Sequence, residues 1–286
     1  MNLEDSYHYL GTRGLKYVSA STNTRIKIIT RDIWIDCIRF EHIIRAVENI
    51  LKASGTVPAP CMLVCGEGGS GKTTLIKKIV RASEDWNSGV RSMSLIDNLG
   101  GLRFNELVMH AMGVPISFGR ASRAIIPSDV EKYVQQQQIK CLIIDEMQAS
   151  LINTKAEQLK HLNILKALSN EPYCLSVVAF GTAEAKSALS YDQQLARRYD
   201  LFDLSKWTLG DEFRNFLATW EQSLPLRKES KLYRDEIARL ILELTGGTMD
   251  YVVKSLKWAA ILAVKSGEEQ ITPEILTKAY SSKWGF

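Results

Sequence analysis

Between Phe40 and Leu51 apolar residues recur at helical spacing, with Ile43, Ile44, Val47, Ile50 and Leu51 near one face, and predict an amphipathic helix. A breaker segment at 53–60 follows, and the period then changes. Cys61–Cys65 is a short apolar run ending in glycines, which predicts a buried strand. The pattern continues with a helix over 72–83, a strand over 90–96, a helix over 104–112 and a loop-like stretch at 113–127. Ser128-Asp129-Val130-Glu131 fits a capping box and predicts a helix start. Cys141–Ile144 reads as a third strand. Leu159, Leu162, Ile164, Leu165 and Leu168 mark a helix, Leu175–Phe180 a fourth strand and Tyr199–Leu204 a fifth. Short apolar strands alternating with helices predict a parallel sheet covered on both faces. After Trp207 the strands stop. Residues 211–223, 231–244, 249–266 and 273–281 read as amphipathic helices, and Thr272-Pro273 gives the last an N-cap and an N1 proline.

The fold class expected is therefore α/β, a parallel sheet flanked by helices, with a small C-terminal helical domain. The expected boundaries are an N-terminal arm and lead-in helix at 1–53, an α/β domain at 54–207 and the helical domain at 208–286. Residues 10–31 carry Arg13, Lys16, Arg25, Lys27 and Arg31, no acidic residue, and a Ser/Thr/Asn cluster; they read as an arm or irregular lead-in.

Composition adds exclusions. The chain has 286 residues, 45% hydrophobic and 24% charged, an ordinary globular balance that argues against disorder, collagen-like repeats and a disulfide scaffold. No apolar run reaches the ~18–20 residues of a membrane span, and the N-terminus lacks the layout of a signal peptide. The five cysteines (37, 61, 65, 141 and 174) form no C-x-x-C pair and read as reduced core thiols, which points to the cytoplasm. Thirty-six Lys and Arg against 32 Asp and Glu give +4, which neither demands nor excludes nucleic acid.

The chemistry begins at Gly66-Glu67-Gly68-Gly69-Ser70-Gly71-Lys72-Thr73, a full match to G-x-x-x-x-G-K-[ST], with Thr74 next in the helix. It lies between a predicted strand and a predicted helix, the context the motif requires. Glycines let successive N–H groups turn toward a phosphate, and the helix that follows presents its positive end. Lys72 is expected to reach the β- and γ-phosphates and Thr73 to set its hydroxyl on Mg²⁺. Cys141-Leu142-Ile143-Ile144-Asp145-Glu146 is the partner signal. The buried strand delivers two carboxylates beside the phosphate loop: Asp145 for the Mg²⁺ shell, Glu146 to accept a proton from the attacking water.

Other positions keep two readings each. Thr182, after the fourth strand, is a candidate for the attacking water or the γ-phosphate if that strand lies between the two just described; it is equally a candidate N-cap for 183–189. Gln148 is a further polar candidate, or a solvated loop residue. Arg197 and Arg198, just before the fifth strand, fit either an arginine that enters a neighbouring subunit's nucleotide site or two solvated helix-end charges.

With GEGGSGKT at 66–73, CLIIDEMQ at 141–148, AFGT at 179–182 and DQQLARRYDLFDLSKW at 192–207, the chain resembles an AAA+ ATPase, and more narrowly the TniB/TnsC family of transposition regulators, with MuB-like ATPases close in role. The resemblance spans about residues 30–265. It implies an ASCE P-loop sheet with a C-terminal helical lid, ATP and Mg²⁺ as cofactors, and ATP-dependent homo-oligomeric rings or helical filaments around double-stranded DNA. It also implies recruitment of a DDE transposase, with a TniQ-like target selector. It raises Thr182 as sensor 1 and Arg197 or Arg198 as the finger acting in trans. One departure stands out: the turn Thr245-Gly246-Gly247-Thr248-Met249-Asp250 offers no arginine for the sensor-2 place. Arg103, Arg120 and Arg123, in the long connection 97–127, and Lys155 and Lys160 are the candidate DNA contacts; solvated loop charges are the other reading of each. Two rival functions share the motifs: a helicase loader or replication initiator, and a signalling NTPase acting on protein partners without DNA.

Overall fold

The computed structural model describes residues 7–86, 89–98, 100–114, 129–151, 154–190 and 192–283. Arg120, Arg123 and Ser128 lie outside the described residues. The chain forms two compact units, one of residues 39–205 and one that joins the segment up to residue 38 to residues 206 onward. The sequence had placed its divisions at 53/54 and 207/208.

In the second unit, the segment read as an arm forms two helices, α1 (Thr12–Tyr17) and α2 (Thr22–Thr30). The Ser21 side chain caps α2 by accepting the Thr24 N–H at 3.4 Å. Two of the basic residues of that segment are consumed inside the unit. Arg13 donates to the Ile28 carbonyl at 2.8 Å. Arg25 is buried, donates from Nε to the Pro225 carbonyl at 2.8 Å, and grips both carboxylate oxygens of Glu269 with its fork. The rest of the unit is helical: α10 (Asp211–Ser223), α11 (Asp235–Thr245), α12 (Met249–Ser266) and α13 (Pro273–Ser282). Buried Glu221 of α10 ties down the next connection, accepting the N–H groups of Ser230, Lys231 and Leu232.

Burial disfavours the charged form of Glu269, and the guanidinium of Arg25 with the Arg227 N–H overrides it, holding its pKa below the usual carboxylate range. Arg25→Ala removes the forked partner of that buried carboxylate and leaves it the Arg227 N–H and the more distant Arg227 guanidinium at 3.8 Å, so a loss of about 3 kcal/mol of stability is expected. A folded-state pKa that is depressed contributes stability above the unfolded value, near ~4.3, and loses it as pH falls through the folded value. Urea unfolding at neutral and acidic pH checks both points: the gap between wild type and Arg25→Ala should narrow in acid.

The first unit opens with α3 (Ile38–Lys52), which buries Phe40, Ile43, Val47, Ile50 and Leu51, close to the periodic face expected. A five-stranded parallel sheet follows: β1 (Cys61–Cys65), β2 (Gly89–Ser94), β3 (Ile139–Asp145), β4 (Ser176–Gly181) and β5 (Tyr199–Asp203), in the order β2-β3-β4-β1-β5. The helices between them are α4 (Lys72–Asp85), α5 (Phe104–Ala111), α6 (Asp129–Gln136), α7 (Lys155–Leu168), α8 (Ala183–Leu189) and the short α9 (Gln193–Ala196). A 3-10 turn, Met147–Leu151, leaves the end of β3. The central strands are apolar on both sides because both faces are covered: Leu142, Ile144, Val177 and Ala179 pack with Val108, Met109, Leu162 and Leu165 in one core.

The strand order matters for chemistry. β4 runs between β3 and β1, as the Thr182 reading required, so the ends of β3, β4 and β1 lie side by side where the strand order departs from the sequence order. All five cysteines are free thiols, and burial pushes the Cys61 thiol up to about 11. No helix among the described residues is long and apolar enough to cross a membrane.

Candidate nucleotide site

β1 stops at Cys65 because the chain must turn under its own backbone. The Gly66 N–H donates to the Gly181 carbonyl at 2.9 Å, and Leu204 N–H to the Cys65 carbonyl at 2.7 Å, which fixes the loop base between β4 and β5. Gly71 then takes φ +96° at the head of α4, with the Phe40 ring 3.0 Å from where a Cβ would stand. Only glycine meets both demands. The sequence marked Phe40 only as the start of a helical run; its place against the phosphate loop had no local signal.

Within the loop, Lys72 is buried and its Nζ donates to the carbonyls of Gly66 at 2.6 Å and Glu67 at 3.0 Å. The buried Ser70 Oγ has no hydrogen-bond partner among the described residues, a hydroxyl that a phosphate oxygen would satisfy. Glu67, Gly68 and Gly69 are exposed at the loop tip, and Thr73 and Thr74 on the first turn of α4. The loop thus fits a polyphosphate: turned glycines, a helix start, and one cation held by replaceable carbonyls.

The Thr73 hydroxyl donates to Asp145 Oδ2 at 2.9 Å, so the first turn of α4 and the end of β3 meet. Burial pushes the Asp145 pKa up, against the Thr73 and Glu146 N–H hydrogen bonds. This oxygen pair fits Mg²⁺, which takes few protein ligands and keeps water and phosphate oxygens for the rest. No cluster of three or more acidic, His or Cys residues that could hold a metal occurs among the described residues, so this pair would hold it with the nucleotide's help.

Glu146 follows with φ +58°. The reversal turns Asp145 and Met147 inward, both buried, while Glu146 stays half-buried at the crevice. The Gln148 side-chain amide donates to Glu146 Oε2 and accepts the Thr182 N–H at 3.2 Å. The Thr182 hydroxyl donates to Glu184. The structure therefore brings Lys72, Thr73, Asp145, Glu146, Gln148 and Thr182 together at the ends of β1, β3 and β4.

The two arginines separate. Both sit by the start of β5, at the sheet end opposite the phosphate loop, since Tyr199 pairs with Cys61, the first residue of β1. Arg198 is half-buried and donates to Ser169 Oγ at 2.9 Å and Asn170 Oδ1 at 3.0 Å. Arg197, the C-cap of α9, is exposed. Arg103, Lys155 and Lys160 are exposed too, and none is hydrogen-bonded to the nucleotide residues among the described residues. Phe104 and His161 stack with centroids 4.4 Å apart, so Arg103 and Lys160 each precede one member of a ring pair that joins α5 to α7. Lys155 opens α7 inside a capping box of Thr154 and Glu157. That box is legible as Thr154-Lys155-Ala156-Glu157 and was not used in placing the helix.

A family model described as "Bacterial TniB protein" matches residues 25–209. No curated protein matches the chain. Among solved structures, the chain is similar to the ORC1 protein of Aeropyrum pernix in complex with DNA, at TM-score 0.60 and 14% identity, over 90% of this chain and 69% of that one. The ORC2 protein of the same organism, in its ADPNP–ADP complexes, gives 0.57 and 16%, over 90% and 71%. Domain III of the replication initiation protein DnaA of Thermotoga maritima gives 0.54 and 12%, over 87% and 94%. At these identities the likeness is one of fold, and the fold is that of the AAA+ ATPases.

Proposed function

The chain belongs to the bacterial TniB family, and on that premise we propose that it is an ATP-hydrolysing switch that assembles on double-stranded DNA and recruits a DDE transposase. The observation that carries the reading is the meeting of Lys72, the Thr73–Asp145 pair and Glu146 at three adjacent strand ends. It acts in the cytoplasm, where its five thiols stay reduced.

Lys72 exchanges the Gly66 and Glu67 carbonyls for the β- and γ-phosphates, and the loop N–H groups with the head of α4 hold the remaining charge. Thr73 and Asp145 would hold Mg²⁺, whose charge would offset that developing on the phosphates. Glu146 takes the proton of the attacking water, and Thr182, at the end of the intervening strand, senses the γ-phosphate. Arg197, rather than the internally bonded Arg198, reaches the neighbouring subunit's nucleotide. Homo-oligomeric rings or filaments follow from an active site made by two subunits, and a TniQ-like selector completes the partner set. Recruitment is tested by cosedimentation: the transposase should travel with DNA-bound protein in a non-hydrolysable ATP analogue and not in ADP. The family membership favours this reading over a helicase loader, a replication initiator or a signalling NTPase.

DNA contact rests on Arg103, Lys155 and Lys160, exposed on two helices that the Phe104–His161 stack joins. Backbone contacts release counterions, so affinity should fall steeply with salt and vary little with sequence. ATP should strengthen binding, because linked subunits sum many weak contacts along one duplex. Replacing all three with alanine should weaken binding to two unrelated duplexes alike and flatten the salt slope in fluorescence anisotropy, with ATP affinity retained. An unchanged slope removes these three, and leaves Lys16, Lys27 and Arg31 as the exposed basic residues of the first helices.

A further inference from the structure

We propose that Gln148 is a positioning residue: its amide aims the Glu146 carboxylate and links that aim to the strand end that carries Thr182. The inference rests on Glu146 being the general base.

The turn that holds Gln148 is fixed independently of any ligand. Met147 is fully buried, the Ala149 N–H donates to the Glu146 carbonyl at 2.8 Å, and Ser150 Oγ donates to the Met147 carbonyl at 2.8 Å. From this turn the side chain reaches two partners of opposite demand. A carboxylate needs a donor and a backbone N–H needs an acceptor, so Nε2 must face Glu146 and Oε1 must face Thr182; the reverse orientation sets oxygen against oxygen. The primary amide of Gln148 offers both from one rigid plane. Gly181 keeps the space open: a Cβ there would lie 3.0 Å from Gln148 Oε1 and 2.7 Å from the Ala185 Cβ. Glu146 itself has little else to aim it, because its φ of +58° turns it out of the strand whose pleat would otherwise set its direction.

The result is a continuous path from carboxylate to amide to the N–H of Thr182, across the gap between β3 and β4. A shift of Thr182 on meeting a γ-phosphate moves the acceptor side of the amide and so turns its donor side, which carries Glu146. The base is thereby aimed by the same strand end that reads the nucleotide.

Gln148→Met keeps length and volume and removes both hydrogen bonds. Expected is a fall in kcat of about 10–100-fold, the scale of a misaimed catalytic group, with KM for ATP and the affinity for a non-hydrolysable analogue within about twofold of wild type. Added to Glu146→Gln, it should cause no further loss, because there is no base left to aim. Wild-type kcat in Gln148→Met overturns the proposal. So does a parallel loss of kcat and nucleotide affinity, which marks a strut of the loop, and so does a full additional loss in the double variant. If Glu146→Gln alone hydrolyses ATP at the wild-type rate, the general-base reading has failed, and this inference with it.

Discussion

Glu146→Gln should bind ATP as the wild type does and hydrolyse it ~10²-fold or more slowly. The substitution keeps the size of the side chain and removes the carboxylate proposed to take the proton. Lys72, Thr73 and Asp145 are untouched, so the phosphate loop keeps its cation and its oxygen pair. Lys72→Ala gives the opposite pattern: it removes a buried ammonium whose two carbonyl partners are replaceable by phosphate oxygens, and nucleotide binding itself should fail. The pair of variants separates holding from hydrolysis. Nucleotide-bound Glu146→Gln protein should accumulate in the ATP state, and duplex binding by anisotropy should persist where the wild type releases as ATP is consumed. Equal hydrolysis in Glu146→Gln and wild type removes Glu146 from the chemistry.

Arg197→Ala should lower the turnover of the assembled protein by ~10³-fold, the scale of an arginine finger, without changing nucleotide affinity of the separated subunit. The expectation follows from two adjacent arginines with different surroundings. Arg198 spends its guanidinium on Ser169 and Asn170, so Arg198→Ala should lower stability instead, read as an earlier unfolding midpoint. Arg197 is exposed at the sheet end away from its own phosphate loop, so any part it takes in hydrolysis is played at another subunit's site. Mixing Arg197→Ala with Lys72→Ala protein should restore part of the activity, because some interfaces then pair an intact loop with an intact finger. No rescue at any ratio, with co-assembly shown, places Arg197 outside the neighbour's site.

The parts legible in the sequence are those in which cause and effect are neighbours along the chain. The phosphate loop is written in eight consecutive residues, and the β3 run names its own strand and its own carboxylates. The helices at 211–223 and 249–266 follow from their apolar spacing and end where expected. What was missed depends on distant partners. Helix α2 escaped because one of its buried positions is an arginine, which a template of apolar periodicity scores as exposed. Gln148 was visible only as a polar residue in a turn; its second partner is 34 positions away on another strand. The same holds for Arg198, whose partners precede β4. Adjacent letters of one type, Arg197 and Arg198, cannot be told apart until the fold gives one of them something to hold.

The nesting of one unit within the other also sets a timetable for synthesis. Arg25 precedes Glu269 by 244 positions. All of the sheet and its phosphate loop emerge between them. At ~5–20 residues per second, Arg25 waits about 12–50 s for its carboxylate. In the last part of that interval, once residue 205 has emerged, the nucleotide-binding unit has its whole sequence available, while Arg25 still lacks Glu269. A chain stalled between the end of β5 and Glu269 thus carries all five strands while Arg25 still lacks its carboxylate, and the last stretch of translation lets that one arginine enter the core.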